Sequence, residues 1–400
     1  MHKMNIGRFL GLGTVLRADL FVAPIMFASF ILQTQAFAAD TSTRGSVAQF
    51  RPTISESRLN VQGQMLLGSQ YVSDETDEGS NVNFGFGLKL NYKFLDSLEL
   101  RSETRLNFSQ ERFQAQIDDD EFADGFSVKE AVAAWSPLTQ VEIGAGAVNQ
   151  HEFLEAPLLI SNRSFPGAYQ QLLFGEVDRN FVQFRLSQSI PTSRSFDSDR
   201  IEKEKTPYFF TEGVKLGVRP NKHIQFIPFY QRFRYTDLPS VVAYNGSFRG
   251  NTVADATPTN SRFAFDFEGY VAGLRVALDP TSDLSLFGEF QGIENTKAPE
   301  GFNSGQLGKA GLRVQLGQVV VEPVVGTFFN ESDTSPAAYN SAHTGHNNRE
   351  GMVYAFDLTF DKYNFKIASE LVDARIVNPA QRQSDMDYFS ISLETLYVEF

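Results

Sequence analysis

The chain has 400 residues, 35 Lys and Arg against 48 Asp and Glu, and no cysteine. A formal charge of −13 leaves no basic face to neutralise phosphates, so nucleic acid is not expected as a partner. Without cysteine there is neither a disulfide framework nor a thiolate metal site.

Residues 1–38 read as a signal peptide. Lys3, Arg8 and Arg17 precede the apolar run Leu20 to Leu32, which is too short for a spanning helix, and Ala36-Phe37-Ala38 supplies the small-residue cleavage site. Removal of this segment takes away three bases and Asp19 and leaves a formal charge of −15. Residues 39–57 are expected as a short periplasmic N-terminal segment, and 58–400 as one domain.

That domain alternates with period two. From Val82 to Phe94 the even positions are Val, Phe, Phe, Leu, Leu, Tyr and Phe, and the odd ones Asn, Gly, Gly, Lys, Asn and Lys. Thirteen unbroken residues exceed a soluble strand of about five or six and match the 9–11 or so that a tilted strand needs to cross a bilayer. Leu95-Asp96-Ser97 forms a tight turn. Leu98 to Phe108 then repeats the pattern, with Glu99, Arg101, Glu103, Arg105 and Asn107 on one face. Four charges on one strand face must meet water, so the other face meets something apolar. Leu59–Tyr71, Val141–Ala147, Tyr270–Leu278, Ala310–Leu316, Met352–Phe360 and Phe365–Ile367 are built alike. The pattern is poor in Gly167–Val177 and weak in Ile224–Tyr235, where Phe and Arg fall on both faces.

Connections alternate in length. Short ones lie near residues 95–97, 136–140, 178–180, 220–222, 279–283, 317–318 and 361–363. Long polar ones lie near 72–81, 109–125, 150–166, 189–207, 236–261, 294–306, 330–350 and 372–387. Short periplasmic turns alternating with long outer loops organise an outer-membrane barrel. The expected fold is therefore all-β, a transmembrane antiparallel up-and-down barrel of about sixteen strands. The chain ends Leu396-Tyr397-Val398-Glu399-Phe400, apolar on alternate residues up to a terminal Phe. Phe389, Ile391 and Leu393 carry the opposite parity, which predicts a bulge near Glu394.

Over its whole mature length the chain resembles the Gram-negative outer-membrane porin superfamily. The resemblance implies location in the cell outer membrane, contact with its lipid, passage of small solutes, and often homotrimers. It implies no cofactor and no catalysis, and it makes Phe400 the signal read by the barrel-assembly machinery. A barrel dedicated to one substrate, such as an acidic polysaccharide, remains an alternative, as does a barrel lipase or protease.

Candidate pore-lining residues follow from the alternation: Lys89, Asn91, Lys93, Glu99, Arg101, Glu103, Arg105, Arg185, Lys215, Arg275, Arg313, Asp357 and Lys366. If Phe94 pairs with Leu98, Lys93 faces Glu99, Asn91 faces Arg101 and Lys89 faces Glu103, and such mixed ladders orient polar solutes. Residues 150–166 carry Phe153, Leu154, Leu158, Leu159, Ile160 and Phe165, too much apolar surface for an exposed loop. They are expected to fold inward as a constriction, with Arg163 opposing Glu152 or Glu155. The competing expectation is an apolar loop against a neighbouring protomer. The acidic runs 74–78 and 118–121 lack an EF-hand pattern. His343 and His346 have only Glu350 near them in sequence, so no metal is expected.

Overall fold

The computed structural model describes residues 58–74, 78–111, 125–191, 204–255, 257, 259–379 and 383–399. The signal peptide, the segment 39–57, the acidic residues 75–77 and 118–121, and Phe400 lie outside them.

Period-two segments become strands because alternate side chains then reach two different solvents, lipid outside and water or protein inside. Sixteen antiparallel strands form one closed barrel. In chain order they are β1 (Leu59–Asp74), β2 (Glu78–Leu95), β3 (Leu98–Glu111), β4 (Gly125–Leu138), β5 (Val141–Asn149), β6 (Ser164–Gly175), β7 (Phe181–Ser189) and β8 (Tyr208–Asn221). They continue as β9 (Ile224–Thr236), β10 (Glu268–Leu278), β11 (Leu284–Asn295), β12 (Ser304–Leu316), β13 (Val319–Asn330), β14 (Arg349–Phe360), β15 (Phe365–Ile376) and β16 (Met386–Thr395). Each strand pairs with the next, and β16 pairs back on β1 from Leu66↔Glu394 to Asp74↔Met386. Closure leaves no open edge, which satisfies the backbone where lipid offers no hydrogen bond. No described helix is long and apolar enough to cross a membrane; the strands cross it.

Phe84, Phe86, Phe108, Trp135, Phe174, Leu186, Phe290 and Tyr354 stand exposed on the outer face, while Asn83, Gln171, Arg185, Gln291 and Val353 are buried inside. The inversion of a soluble core is the mark of a barrel solvated by lipid.

The expected pairs Lys93↔Glu99, Asn91↔Arg101 and Lys89↔Glu103 form, but Leu98 pairs with Leu95 rather than Phe94, across an irregularity of the ladder between Lys93 and Leu95. At the C-terminus, Phe389 and Leu393 face outward beside Tyr71 and Leu67, and Val398 pairs with Gly63, which also has outward parity. The parity changes across 396–397, where the ladder breaks before Val398–Glu399.

One expectation about the outer connections needs correction. The first is not a long loop, because β1 runs to Asp74 and β2 resumes at Glu78, with Ser73 still paired to Glu78. Polar side chains continue a ladder as well as apolar ones once it leaves the lipid. The fifth connection, expected near 236–261, is long as expected and reaches Glu268. It holds helix α1 (Ser240–Phe248), whose first residue donates from N and Oγ to Glu204 Oε1 at 2.8 and 2.6 Å. A carboxylate there meets the unpaired amides and the positive end of the helix dipole.

Candidate functional site: the lumen and its inner loops

The third outer connection, L3 (residues 150–163), lies inside the barrel. Leu154, Ala156, Leu158, Leu159 and Ile160 are at most 3% exposed. They pack with inward aromatics of the wall, among them Phe165, Phe209, Phe229, Phe233 and Tyr235. This explains the poor alternation of β6 and β9: both of their faces are apolar, one toward lipid and one toward the loop. In β9 the arginines that spoil the pattern, Arg232 and Arg234, point outward and pair with Glu268 at 2.7 and 3.9 Å.

Glycines on the inner face give these rings room. A Cβ on Gly144 would lie 2.3 Å from the Tyr169 ring directly across the ladder, and one on Gly213 would lie 2.2 Å from Phe153 of L3. Only hydrogen fits beneath those rings.

Charge clamps hold L3 to the wall. Glu152 Oε2 accepts from Arg185 at 2.8 Å, and its Oε1 lies 3.6 Å from Arg101. Glu155 is 3.3 Å from Arg275, which also meets Glu289 at 2.9 Å. Lys215 donates to the Phe153 carbonyl, and Lys129 donates to that of Asn162 at 3.3 Å. Arg101 is the hub. It reaches Glu142 at 2.7 Å, Glu99 at 3.4 Å and Glu130 at 3.9 Å, and donates to the Tyr169 hydroxyl at 2.5 Å; that hydroxyl in turn donates to Glu142 at 2.6 Å.

Two expectations change here. Arg185 is 5% exposed and Lys215 lies over the Phe153 ring, so both face inward but beneath L3, as anchors rather than an open lining. Arg163 donates to Ser161 Oγ within its own loop at 3.0 Å, while Glu152 and Glu155 pair with the wall.

Other candidates face inward on the remaining wall. Lys89 meets Glu103 at 3.2 Å and lies 4.0 Å over the Tyr397 ring, whose hydroxyl donates to Glu103. Arg313 meets Glu322 at 3.8 Å, and Lys366 meets Asp357 at 2.6 Å. Arg105 on β3 and Lys309 on β12 face inward from nearly opposite sides of the ring, and no ion pair joins either among the described residues.

A second loop also folds inward. In L7 (residues 331–348), Asp333, Thr334, Ser335, Ala337 and Asn347 have no exposed surface. It is tied to L3 backbone to backbone, Ser161 N to Tyr339 O at 2.8 Å and Ser341 N to Pro157 O at 3.0 Å, and by Ser335 Oγ to Leu158 O at 2.7 Å. It is tied to the fifth connection through Asn251 and Thr252, which donate to Ser332 O and Asp333 Oδ2 at 2.7 and 2.6 Å. The sequence reading missed this loop. Its one signal is a long stretch of Ser, Thr, Asn and Ala with almost no charge, a composition that hydrogen-bonds internally.

The histidines of L7 have partners that sequence proximity did not show. His343 Nδ1 lies 2.9 Å from Glu370 on β15, and His346 Nδ1 lies 3.0 Å from Asn340 Oδ1. Burial, with Arg249, Arg163 and Arg349 nearby, holds His346 well below the ordinary imidazole value. Among the described residues no three His, Asp or Glu side chains gather to hold a metal.

A closed sixteen-stranded barrel with an apolar outer belt, a charged inner wall and inward loops has the fold of the porin-type barrels. The high-pH structure of Pseudomonas putida OprB matches it with a TM-score of 0.56 at 10% identity, covering 86% of this chain and 94% of that one. The Salmonella typhi OmpF complex with daunomycin matches at 0.48 and 9%, covering 86% and 97%. No family model matches the sequence, and no curated protein does. The likeness is one of fold.

Proposed function

We propose that the barrel is a passive channel for small polar solutes or ions, narrowed by L3. The observation that carries this reading is the inner wall from β12 through β3. Its charges pair with one another in both signs, Arg313–Glu322, Lys366–Asp357 and Lys89–Glu103, and leave a polar, nearly neutral lining. Such a surface keeps water in the passage without trapping a permeant ion. Glu155, 41% exposed on its side chain, gives L3 a charge directed at that passage. The lining set is Lys89, Asn91, Lys93, Glu99, Arg101, Glu103, Arg105, Arg275, Arg313, Asp357 and Lys366, with Glu152 and Glu155 at the constriction.

Lipid surroundings, insertion by the barrel-assembly machinery with Phe400 as signal, and trimeric assembly belong to the same proposal. The outer face of β4–β6 supports the trimer. There Ala131, Ala133, Ala145, Ala147 and Ala168 replace the bulky belt, so a second barrel can approach closely.

One observation favours a dedicated anion route as the second reading: Arg105 and Lys309 face the lumen, and although Glu289 stands across the ladder from Lys309, neither base forms an ion pair within 4.0 Å among the described residues. Reconstitution in planar bilayers under a KCl gradient separates the two. The passive reading expects ohmic single-channel steps with a reversal potential near zero. A reversal potential close to the chloride limit, collapsing in the Arg105→Ala, Lys309→Ala double variant, would establish the second. Folded barrel that carries no current would sink both.

A further inference from the structure

The inner wall where β16 meets β1, β2 and β3 carries two charges that the rest of the lining leaves unmatched. The Arg105 side chain makes no hydrogen bond or ion pair among the described residues; its one contact, from Ser127 Oγ, goes to its backbone carbonyl. Glu103, two residues back on the same face, is already engaged by Lys89 at 3.2 Å and by the Tyr397 hydroxyl at 3.0 Å. Glu394 on β16 is held loosely. Gln64 Nε2 donates to its Oε2 at 3.4 Å, and Lys366, which stands 2.6 Å from Asp357, is 4.0 Å from its Oε1. A charge-assisted hydrogen bond runs at about 2.7–2.9 Å, so the carboxylate keeps most of its capacity to accept.

Register gathers both charges around one recess. Gly87 pairs with Gln64 on one side and with Arg105 on the other. In the next row Gly85 pairs with Leu66 and Asn107, and Leu66 pairs with Glu394. Two glycines therefore floor the recess on β2, and Leu66 offers an apolar contact beside them. The Tyr397 hydroxyl closes the end nearer the short turns, 3.1 Å from where a Cβ of Gly87 would sit. With strands about 4.8 Å apart, the two charged residues have α-carbons roughly 15 Å from each other. Their extended side chains span much of that gap, and the Arg105 charge acts on both Glu394 and the Tyr397 hydroxyl.

We propose that this recess is a luminal subsite for a small zwitterion of the α-amino acid class. The carboxylate accepts two hydrogen bonds from Arg105, whose planar fork matches its two oxygens. The ammonium donates to Glu394. The carbon between them and a small side chain lie over Gly85 against Leu66. A simple anion or cation engages one pole only. The proposal rests on the channel reading, because a solute reaches this wall through the lumen.

The test is saturation-transfer difference NMR on the folded barrel in deuterated detergent at low ionic strength, with L-alanine, propionate and ethylamine as probes. L-alanine is expected to give a saturable signal. Propionate and ethylamine should bind about tenfold more weakly, the loss of one hydrogen bond to a charged group. Arg105→Ala and Glu394→Gln should each weaken L-alanine binding by a similar factor, and Arg105→Lys, which keeps the charge but not the fork, should restore part of it. Heat-modifiable gel migration verifies folding of each variant. An unsaturable L-alanine signal, or binding unchanged in both Arg105→Ala and Glu394→Gln, overturns the proposal. So does propionate binding as tightly as L-alanine, which would leave Arg105 to an anion route. Single-channel conductance in KCl keeps the two readings apart. Conduction without L-alanine binding sinks the subsite alone, whereas a folded barrel that binds L-alanine and carries no current upholds the subsite and sinks the channel.

Discussion

Replacing residues 153–160 by a short Gly-Ser link is expected to raise single-channel conductance several-fold. The segment contributes Leu154, Leu158, Leu159 and Ile160 to the interior, all buried. Nothing else in L3 fills that volume, and a shorter, wider aqueous path carries more current. The link removes the Glu155 charge as well, so selectivity should move toward anions at the same time. The single change Glu155→Lys separates the two effects, shifting the reversal potential toward anions with little change in conductance. A folded barrel with unchanged conductance after the deletion would show that L3 does not set the narrowest point.

Arg101→Ala should be the most destabilising single substitution on the inner wall. Arg101 is the common partner of Glu99, Glu130, Glu142 and Glu152, and its side chain is 17% exposed. Without it Glu142, 4% exposed on its side chain, keeps the Tyr169 hydroxyl but loses its cation. Breaking a buried ion pair from one side costs about 3–5 kcal/mol, because the remaining charge stays desolvated. The urea midpoint of the barrel in lipid vesicles measures the loss. Adding Glu142→Gln to Arg101→Ala should recover part of it. A loss below about 1 kcal/mol, the range of exposed pairs, would mean that water reaches the cluster freely.

The legibility of this barrel in its sequence depended on what each strand met inside. β2 and β3 face a wet lumen, so Lys89, Lys93, Glu99 and Glu103 alternate cleanly with apolar residues, and even their pairing could be read from one turn. β6 and β9 face the inner loops, so Phe165, Tyr169, Phe229 and Phe233 occupy the side expected to be polar. The pattern was lost there because the interior is not uniformly water. L3 was legible through its own apolar run. Its clamps were not, since Glu152–Arg185 and Glu155–Arg275 join residues 33 and 120 positions apart. L7 was hidden because Ser, Thr and Asn look the same in sequence whether they bond to water or, like Asn251 and Asp333, to each other.

Three hydrogen bonds between L3 and L7 carry an electrical consequence. Ser161, Ser335 and Ser341 fasten the two loops backbone to backbone or hydroxyl to backbone, so neither can swing clear while the other stays docked. A spontaneous rearrangement of the lumen then moves both together. In a current record such an event is one full jump between two levels, with no intermediate plateau for either loop alone.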